Sequence, residues 1–246
     1  MNQPEVKQPD TWAFFDRIYC ISLDKRIDRR EQAKKQFARV GLLDQVEFVI
    51  VEKHPTNQEK GIYQSHMKCL HKGLDSGANH ILVFEDDVFF ERFDPKALLR
   101  ACQCLKKIPD WNGLFLGCMI DGSSRTKEKN LNKITHRTLA HAYALNRPFA
   151  KELVQKSWDG TPFDEFLRLH NKNYYALYPM CAFQGLSGTD NQRVAIDRVR
   201  RLFGGLPFIQ KINELYHNRT FLLLCITVGV TLGVVLGVSF LTFKIW

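Results

Sequence analysis

Two groups of carboxylates in this sequence have the composition and setting for chemistry. The first, Glu85-Asp86-Asp87, directly follows the mostly apolar run His80-Ile81-Leu82-Val83-Phe84. A short β-branched and aromatic run entered from a turn at Gly77 predicts a buried strand that stops where the acids begin. In open α/β sheets ligands bind outside the carboxyl ends of the strands, so three acids there suit a cation and the anion it carries. Their hard oxygens favour Mn²⁺ or Mg²⁺ over zinc. If strand alternation continues through the triplet, Glu85 and Asp87 point to one side and Asp86 to the other. Standing alone, the triplet fits an exposed acidic turn as well. The second group is Asp164-Glu165, after Gly160-Thr161-Pro162-Phe163. Its competing reading is the first turn of a helix, with Thr161 as cap, Pro162 inside the start and two acids at the positive end.

The elements that must position these acids alternate along the chain. Residues 17–23 read as a first strand, followed by the charged stretch 24–30 and a helix over about residues 29–40, stopped by Gly41. Asp24 and Arg29 thus fall in the first strand-to-helix turn, where a nucleotide is commonly held; a solvated, charged turn competes with that reading. Residues 45–51 predict a second strand, 52–60 a polar loop and 61–74 a helix carrying Ser65 and His66. A histidine there is more often a structural hydrogen-bonder than a catalyst. After the acidic strand come a helix over 95–105 and a strand over 111–117. The lysine-rich stretch 121–135 lacks periodicity and reads as a mobile loop. A strand over 140–145, a helix over 148–155 and a strand over 174–178 complete the pattern, which argues for an α/β domain with a largely parallel sheet.

The chain has 246 residues, 45% of them hydrophobic, which suffices for one sizeable domain, and no internal repeat is visible. The formal net charge is +9. Much of the excess lies late, in Arg193, Arg198, Arg200, Arg201, Lys211 and Arg219. No nucleic-acid-binding motif accompanies it, which argues against a nucleic-acid partner. The seven cysteines are scattered without a Cys-x-x-Cys pair and read as free thiols. The first residues have neither the basic nor the apolar region of a secretory signal. Residues 221–243 contain no charged side chain; at about 1.5 Å per residue they would span roughly 34 Å, enough for a bilayer core. The expected organisation is a polar leader over 1–15, a catalytic domain over 16–192, a basic juxtamembrane segment over 193–219 that meets an anionic membrane surface, and a transmembrane helix over 220–243. Arg219 and Lys211 before the apolar stretch place the domain on the cytoplasmic side.

The ordered segments resemble glycosyltransferase family 25, which includes lipooligosaccharide and collagen galactosyltransferases. The resemblance runs from about Arg17 to Ser187. It is carried by Ile18-Tyr19-Cys20-Ile21-Ser22-Leu23-Asp24 with Asp28-Arg29-Arg30; Gly61 with Ser65-His66; Leu82-Val83-Phe84-Glu85-Asp86-Asp87-Val88; Asp110-Trp111 with Leu116-Gly117; His141-Ala142-Tyr143; Pro162-Phe163-Asp164-Glu165; and Tyr178-Pro179 with Gln184 and Ser187. It implies a GT-A-like, Rossmann-related domain, a UDP-sugar donor, often UDP-galactose, a Mn²⁺ or Mg²⁺ ion and inversion at the anomeric carbon. It also gives Glu85 and Asp87 to the metal and Asp86 to the donor, with Asp24, Arg29, Ser65 and His66 as further donor-side residues. Asp164 becomes the expected general base, with Glu165 as its substitute. The expected acceptor is a glycan or glycolipid. A catalytically inactive, membrane-anchored protein that binds a nucleotide sugar or glycan is the alternative.

Overall fold

The computed structural model describes residues 11–185 and 205–218. Eight strands are present in these residues: β1 (Arg17–Leu23), β2 (Val46–Val51), β3 (His80–Glu85), β4 (Val88–Phe90), β5 (Gly113–Arg125), β6 (Leu131–Asn146), β7 (Tyr174–Leu177) and β8 (Ala182–Gln184). Six helices accompany them: α1 (Ile27–Arg39), α2 (Gln58–Asp75), α3 (Pro95–Leu105), α4 (Arg147–Leu153), α5 (Phe163–Leu169) and α6 (Gly205–Asn218). The main sheet has the order β2-β1-β3-β6-β5-β7, and β4 pairs with β8 in a second, two-stranded sheet. This is a Rossmann-like α/β arrangement with β3 at its centre.

The sheet is mixed rather than largely parallel. Strand β1 runs parallel to β2 and β3, but β6 is antiparallel to β3, β5 and β7. The reason lies in the connection. Residues 121–135, expected to form a loop, instead extend β5 and β6 into a long hairpin, and a strand that returns through a hairpin runs antiparallel. Several register shifts between Phe115 and Gly122 bend this ribbon. Its outer part is half-solvated: Ile134 and His136 are buried while Lys133, Thr135 and Arg137 are exposed.

Strand β3 is buried on both faces, and its alternation divides the core. Leu82 and Phe84 pack with Trp12, Phe37 and Leu98, whereas Ile81 and Val83 pack with Met67, Leu70, Tyr143 and Phe163. Each such side chain contributes about 1.5–3 kcal/mol when fully buried. Helix α3 begins where expected, with Asp94 Oδ1 accepting from Lys96 N–H at 2.9 Å and Pro95 in the first position. Helix α5 does not use Thr161 as its cap. Pro162 occupies that position without a side-chain bond, and the Thr161 carbonyl accepts from Trp158 Nε1 at 3.1 Å.

Helix α6 lies within the stretch expected to be a juxtamembrane segment, yet it is docked on the strands. Gln210 Nε2 donates to Ala182 O at 3.0 Å, and Asn213 exchanges bonds with the Ile120 backbone at 2.8 and 2.9 Å. Glu214 accepts from Met180 N–H at 2.5 Å and from Arg92 Nη2 at 2.8 Å. Under this helix β8 crosses β5 so closely that a Cβ on Gly117 would meet Ala182 O at 1.8 Å, which only glycine permits. The expected transmembrane stretch 221–243 lies outside the described residues; among the described residues no helix is long and apolar enough to cross a membrane. The six described cysteines are free thiols, all buried except the half-buried Cys104.

Candidate active site

The first acidic group stands at the carboxyl end of β3, but the alternation does not continue through it. The strand ends at Glu85, and Asp86-Asp87 form the turn into β4. All three carboxylates therefore line one pocket of about 860 Å³, together with Arg29, Ser65, His66 and Gln184. The expected division, with Asp86 facing away from the other two, is corrected by this turn.

Arg29 reaches the pocket from the first turn of α1. Its Nη1 lies 3.6 Å from Asp86 Oδ1 and 3.7 Å from Asp87 Oδ2. The opposite oxygens, Asp86 Oδ2 and Asp87 Oδ1, are buried without a hydrogen-bond partner. Gln184 Nε2 donates to Asp87 Oδ2 at 3.2 Å, and Gly185 N–H holds the Asp87 carbonyl at 2.7 Å. Burial raises all three acids. It pushes Glu85 up to about 8, with Asp164 and Asp86 adding repulsion and Arg29 opposing it. Asp87 is pushed up to about 7, chiefly by burial and then by Glu85. Asp86 rises through burial against the opposing pull of Ser22 and Arg29.

Among the described residues no group of three or more His, Cys, Asp and Glu side chains is arranged to hold a metal ion. The donors that remain are the two orphaned aspartate oxygens, Asp86 Oδ2 and Asp87 Oδ1, hard ligands in one pocket, and one or two carboxylates are the usual protein contribution to a divalent cation that also takes phosphate oxygens.

Glu85, Ile62 and Gln184 also line a second, adjoining cavity, which Thr138, His141, Asp164, Glu165 and Leu206 border. Asp164 is held by one oxygen: Oδ2 accepts from Thr138 Oγ1 at 2.7 Å and from Leu139 N–H at 2.9 Å. Leu139 adopts φ 73°, a left-handed conformation that costs a leucine of order 1–3 kcal/mol. Glu165 instead engages Arg168 on the surface through both oxygens, with Nε to Oε2 at 2.7 Å, and this partner lowers its pKa.

His66 joins the two halves. Its Nε2 lies 3.5 Å from Glu85 Oε1 and its Nδ1 3.1 Å from the Tyr143 hydroxyl. Burial depresses it to about 3, so the ring is neutral. Ser65 lines the same pocket, with its hydroxyl donating to Gly61 O at 2.7 Å. Asp24 is exposed and does not border the cleft; its backbone N–H bonds Val51 O at 2.9 Å and its carbonyl accepts from Arg30. The donor-side role expected of it finds no support in this placement. Sequence reasoning assigned no role to Tyr143, Thr138, Gln184 or to His54 and Gln58, which also line the first pocket. The last two stand in the stretch read only as a polar loop.

A Rossmann-like α/β sheet with an acid-lined cleft at its central strand end has its candidate site where open α/β sheets bind their ligands. Residues 44–167, half of the chain, match the family model described as glycosyltransferase family 25 (LPS biosynthesis protein), and the chain belongs to that family of glycosyltransferases. The matched stretch contains Ser65, His66, Glu85, Asp86, Asp87, Asp164 and Glu165. Among solved structures the chain is similar to a glycosyltransferase involved in the glycosylation of the major capsid of PBCV-1, at 10% identity over 76% of this chain and 99% of that one, with a TM-score of 0.42. It is also similar to A197 from STIV (12% identity, 68% and 85% covered, TM-score 0.44) and to a putative glucose-1-phosphate thymidylyltransferase from Bacillus anthracis (12%, 75% and 75%, TM-score 0.40). At these TM-scores the likenesses are loose and say nothing of what this chain binds.

Proposed function

We propose that the chain transfers a sugar, with galactose the first candidate, from a UDP-sugar to a glycan or lipid-linked acceptor, with inversion at the anomeric carbon. The observation that carries this reading is a pair of adjoining cavities that share Glu85, Ile62 and Gln184 in their walls. Carboxylates and Arg29 line one, and Asp164 the other. The fold is read as a GT-A-like variant.

In this reading Glu85 and Asp87 would hold Mn²⁺ or Mg²⁺, with Asp86 and Arg29 beside them, next to the donor diphosphate. When bound, the ion supplies positive charge to the departing diphosphate. Asp164 faces the acceptor half, where its Oδ1 takes the proton from the attacking hydroxyl. The new acceptor oxygen–carbon bond forms as the bond from the anomeric carbon to the diphosphate oxygen breaks, and UDP leaves with the electron pair. Thr138 and Leu139 fix Asp164 through its other oxygen, which keeps the base oriented. Residues 221–243 anchor the chain, and the domain works at the cytoplasmic face of a membrane.

The test is incubation of the full chain with a panel of UDP-sugars and Mn²⁺, using membrane extract as acceptor and mass spectrometry as readout. Donor hydrolysis or sugar transfer that disappears in Asp87→Ala is the expected result. No turnover with any donor would sink the reading.

A further inference from the structure

Helix α6 has its polarity reversed for a helix packed on a domain. Its inward face is polar: Gln210 and Glu214 are buried and bond Ala182 O, Met180 N–H and Arg92. Its outward face is apolar. Phe208 is 50% exposed, Ile212 49%, Leu215 37% and Tyr216 55%. At about 100° per residue these four fall on one stripe along the helix. Among the described residues they make up half of the exposed large hydrophobic side chains, the others being Ile27, Leu43, Ile50 and Leu169, scattered elsewhere.

Two features of the sequence around the stripe bear on what covers it. After Asn218 only Arg219 and Thr220 precede the uncharged residues 221–243, whose length suits a bilayer core. Any membrane this stretch enters therefore begins within a few residues of the stripe. The flanking sequence is also cationic, with Arg193, Arg198, Arg200, Arg201 and Arg219 against Asp197, as an anionic headgroup layer requires.

We propose that α6 is an interfacial helix, with Phe208, Ile212, Leu215 and Tyr216 sunk into the surface of an anionic bilayer, and that it seats the catalytic domain there. An apolar helical stripe flanked in sequence by cationic residues suits a helix that lies in a membrane interface. The seat also bears on the substrate. Leu206, in the first turn of the same helix, borders the half of the cleft that holds Asp164. The helix seated on the bilayer would thus also border the half of the cleft assigned to the acceptor, which fits an acceptor hydroxyl carried at headgroup level; this last point rests on the proposed transferase reading.

The experiment uses the full chain in nanodiscs of equal parts phosphatidylcholine and phosphatidylglycerol. In a Cys104→Ser, Cys225→Ser background, Ile212→Cys, Tyr216→Cys and, on exposed α3, Gln103→Cys each carry an environment-sensitive fluorophore. The expected result is blue-shifted emission at 212 and 216, mostly lost when the disc contains lipid with a nitroxide near the headgroup end of its acyl chain, and neither effect at 103. Emission at 212 and 216 matching that at 103 would overturn the proposal. So would blue-shifted emission that the nitroxide leaves untouched, because protein, either residues 221–243 or a second copy of the chain, would then cover the stripe. Donor turnover measured on the same discs separates the two readings: turnover with an unquenched stripe removes only the interfacial helix, and a quenched stripe without turnover removes only the transferase assignment.

Discussion

The imidazole of His66 lies flat on the ring of Phe163, with centroids 3.9 Å apart and planes 2° apart. The residue that meets Glu85 is thus packed on the residue immediately before Asp164. This stack links the two acidic groups, far apart in sequence, in addition to the bonds that tie Asp164 to β6, and the Tyr143 hydroxyl bonds the other side of the ring.

Asp164 and Glu165 differ in what they are free to do. Asp164→Asn keeps an oxygen for the Thr138 hydroxyl and the Leu139 N–H, so the fold stays intact while turnover falls about 10²–10⁴-fold, the usual contribution of a general base. Glu165→Gln disturbs only the surface partnership with Arg168 and leaves turnover close to wild type. Steady-state rates and thermal midpoints of the two variants check this; the opposite ranking would move the base to Glu165.

The raised acids give the metal-free protein a defined pH dependence. Glu85 near 8 and Asp87 near 7 keep their protons in the folded state through a range where the unfolded chain has lost them. Between pH 6.5 and 8 the folded state therefore binds more protons, and stability falls as pH rises. His66, depressed to about 3, acts only below its unfolded value of about 6.5, where stability falls as pH falls. Thermal melts in a chelator should show a lower midpoint at pH 8 than at 6.5, and Asp87→Asn should flatten that slope. Mn²⁺ should raise the midpoint more at pH 8, because it binds the ionised carboxylates; a midpoint indifferent to pH and to Mn²⁺ would count against a cation here.

His66 is expected to be a positioning residue that does not titrate in the working range. Its ring signals in proton NMR should show no imidazolium-sized shift from pH 5 to 9, only the smaller displacement caused by ionisation of the adjacent Glu85. His66→Leu leaves the Tyr143 hydroxyl buried and unpaired, at a cost of about 1–3 kcal/mol in stability, while the shape of the pH–rate profile remains that of wild type.

Gly117→Ala should act on the site from a distance. The added carbon has no room beneath Ala182 O, so β8 must shift, and overpacking of this kind costs about 1–3 kcal/mol or more. Gln184, two residues along, then leaves Asp87. Unfolding midpoints and Mn²⁺ affinity should fall together; an unchanged Mn²⁺ affinity in the folded variant would uncouple β8 from the site.

Much of the scaffold was legible because local signals were unambiguous. Arg17–Leu23 alternates into a two-sided core, and Asp94-Pro95 announces α3. The acids at the end of β3 were legible for the same reason: an apolar strand ends abruptly at Glu85. The hairpin over 121–135 was missed because lysines outnumber apolar residues, although Ile134 and His136 turning inward between Lys133, Thr135 and Arg137 leave a period of two in the sequence. The parallel expectation failed with it, since direction depends on the connection. Spacing could not reveal that Asp86 faces the same pocket as its neighbours, because a turn cancels the alternation of a strand. Nor could it join His66 to Phe163 or dock α6, which are contacts between distant segments.

The docking of α6 also sets an order in time. The Met180 N–H and the carboxylate that receives it on Glu214 are 34 residues apart, and every strand of the sheet is synthesised before that carboxylate exists. At about 5–20 residues per second, the ribosome needs roughly 2–7 s to bridge the gap. During that interval β8 has no helix above it and Arg92 has no Glu214, so the strand that brings Gln184 to Asp87 is unsecured. The nascent chain is complete as a sheet before α6 can secure β8.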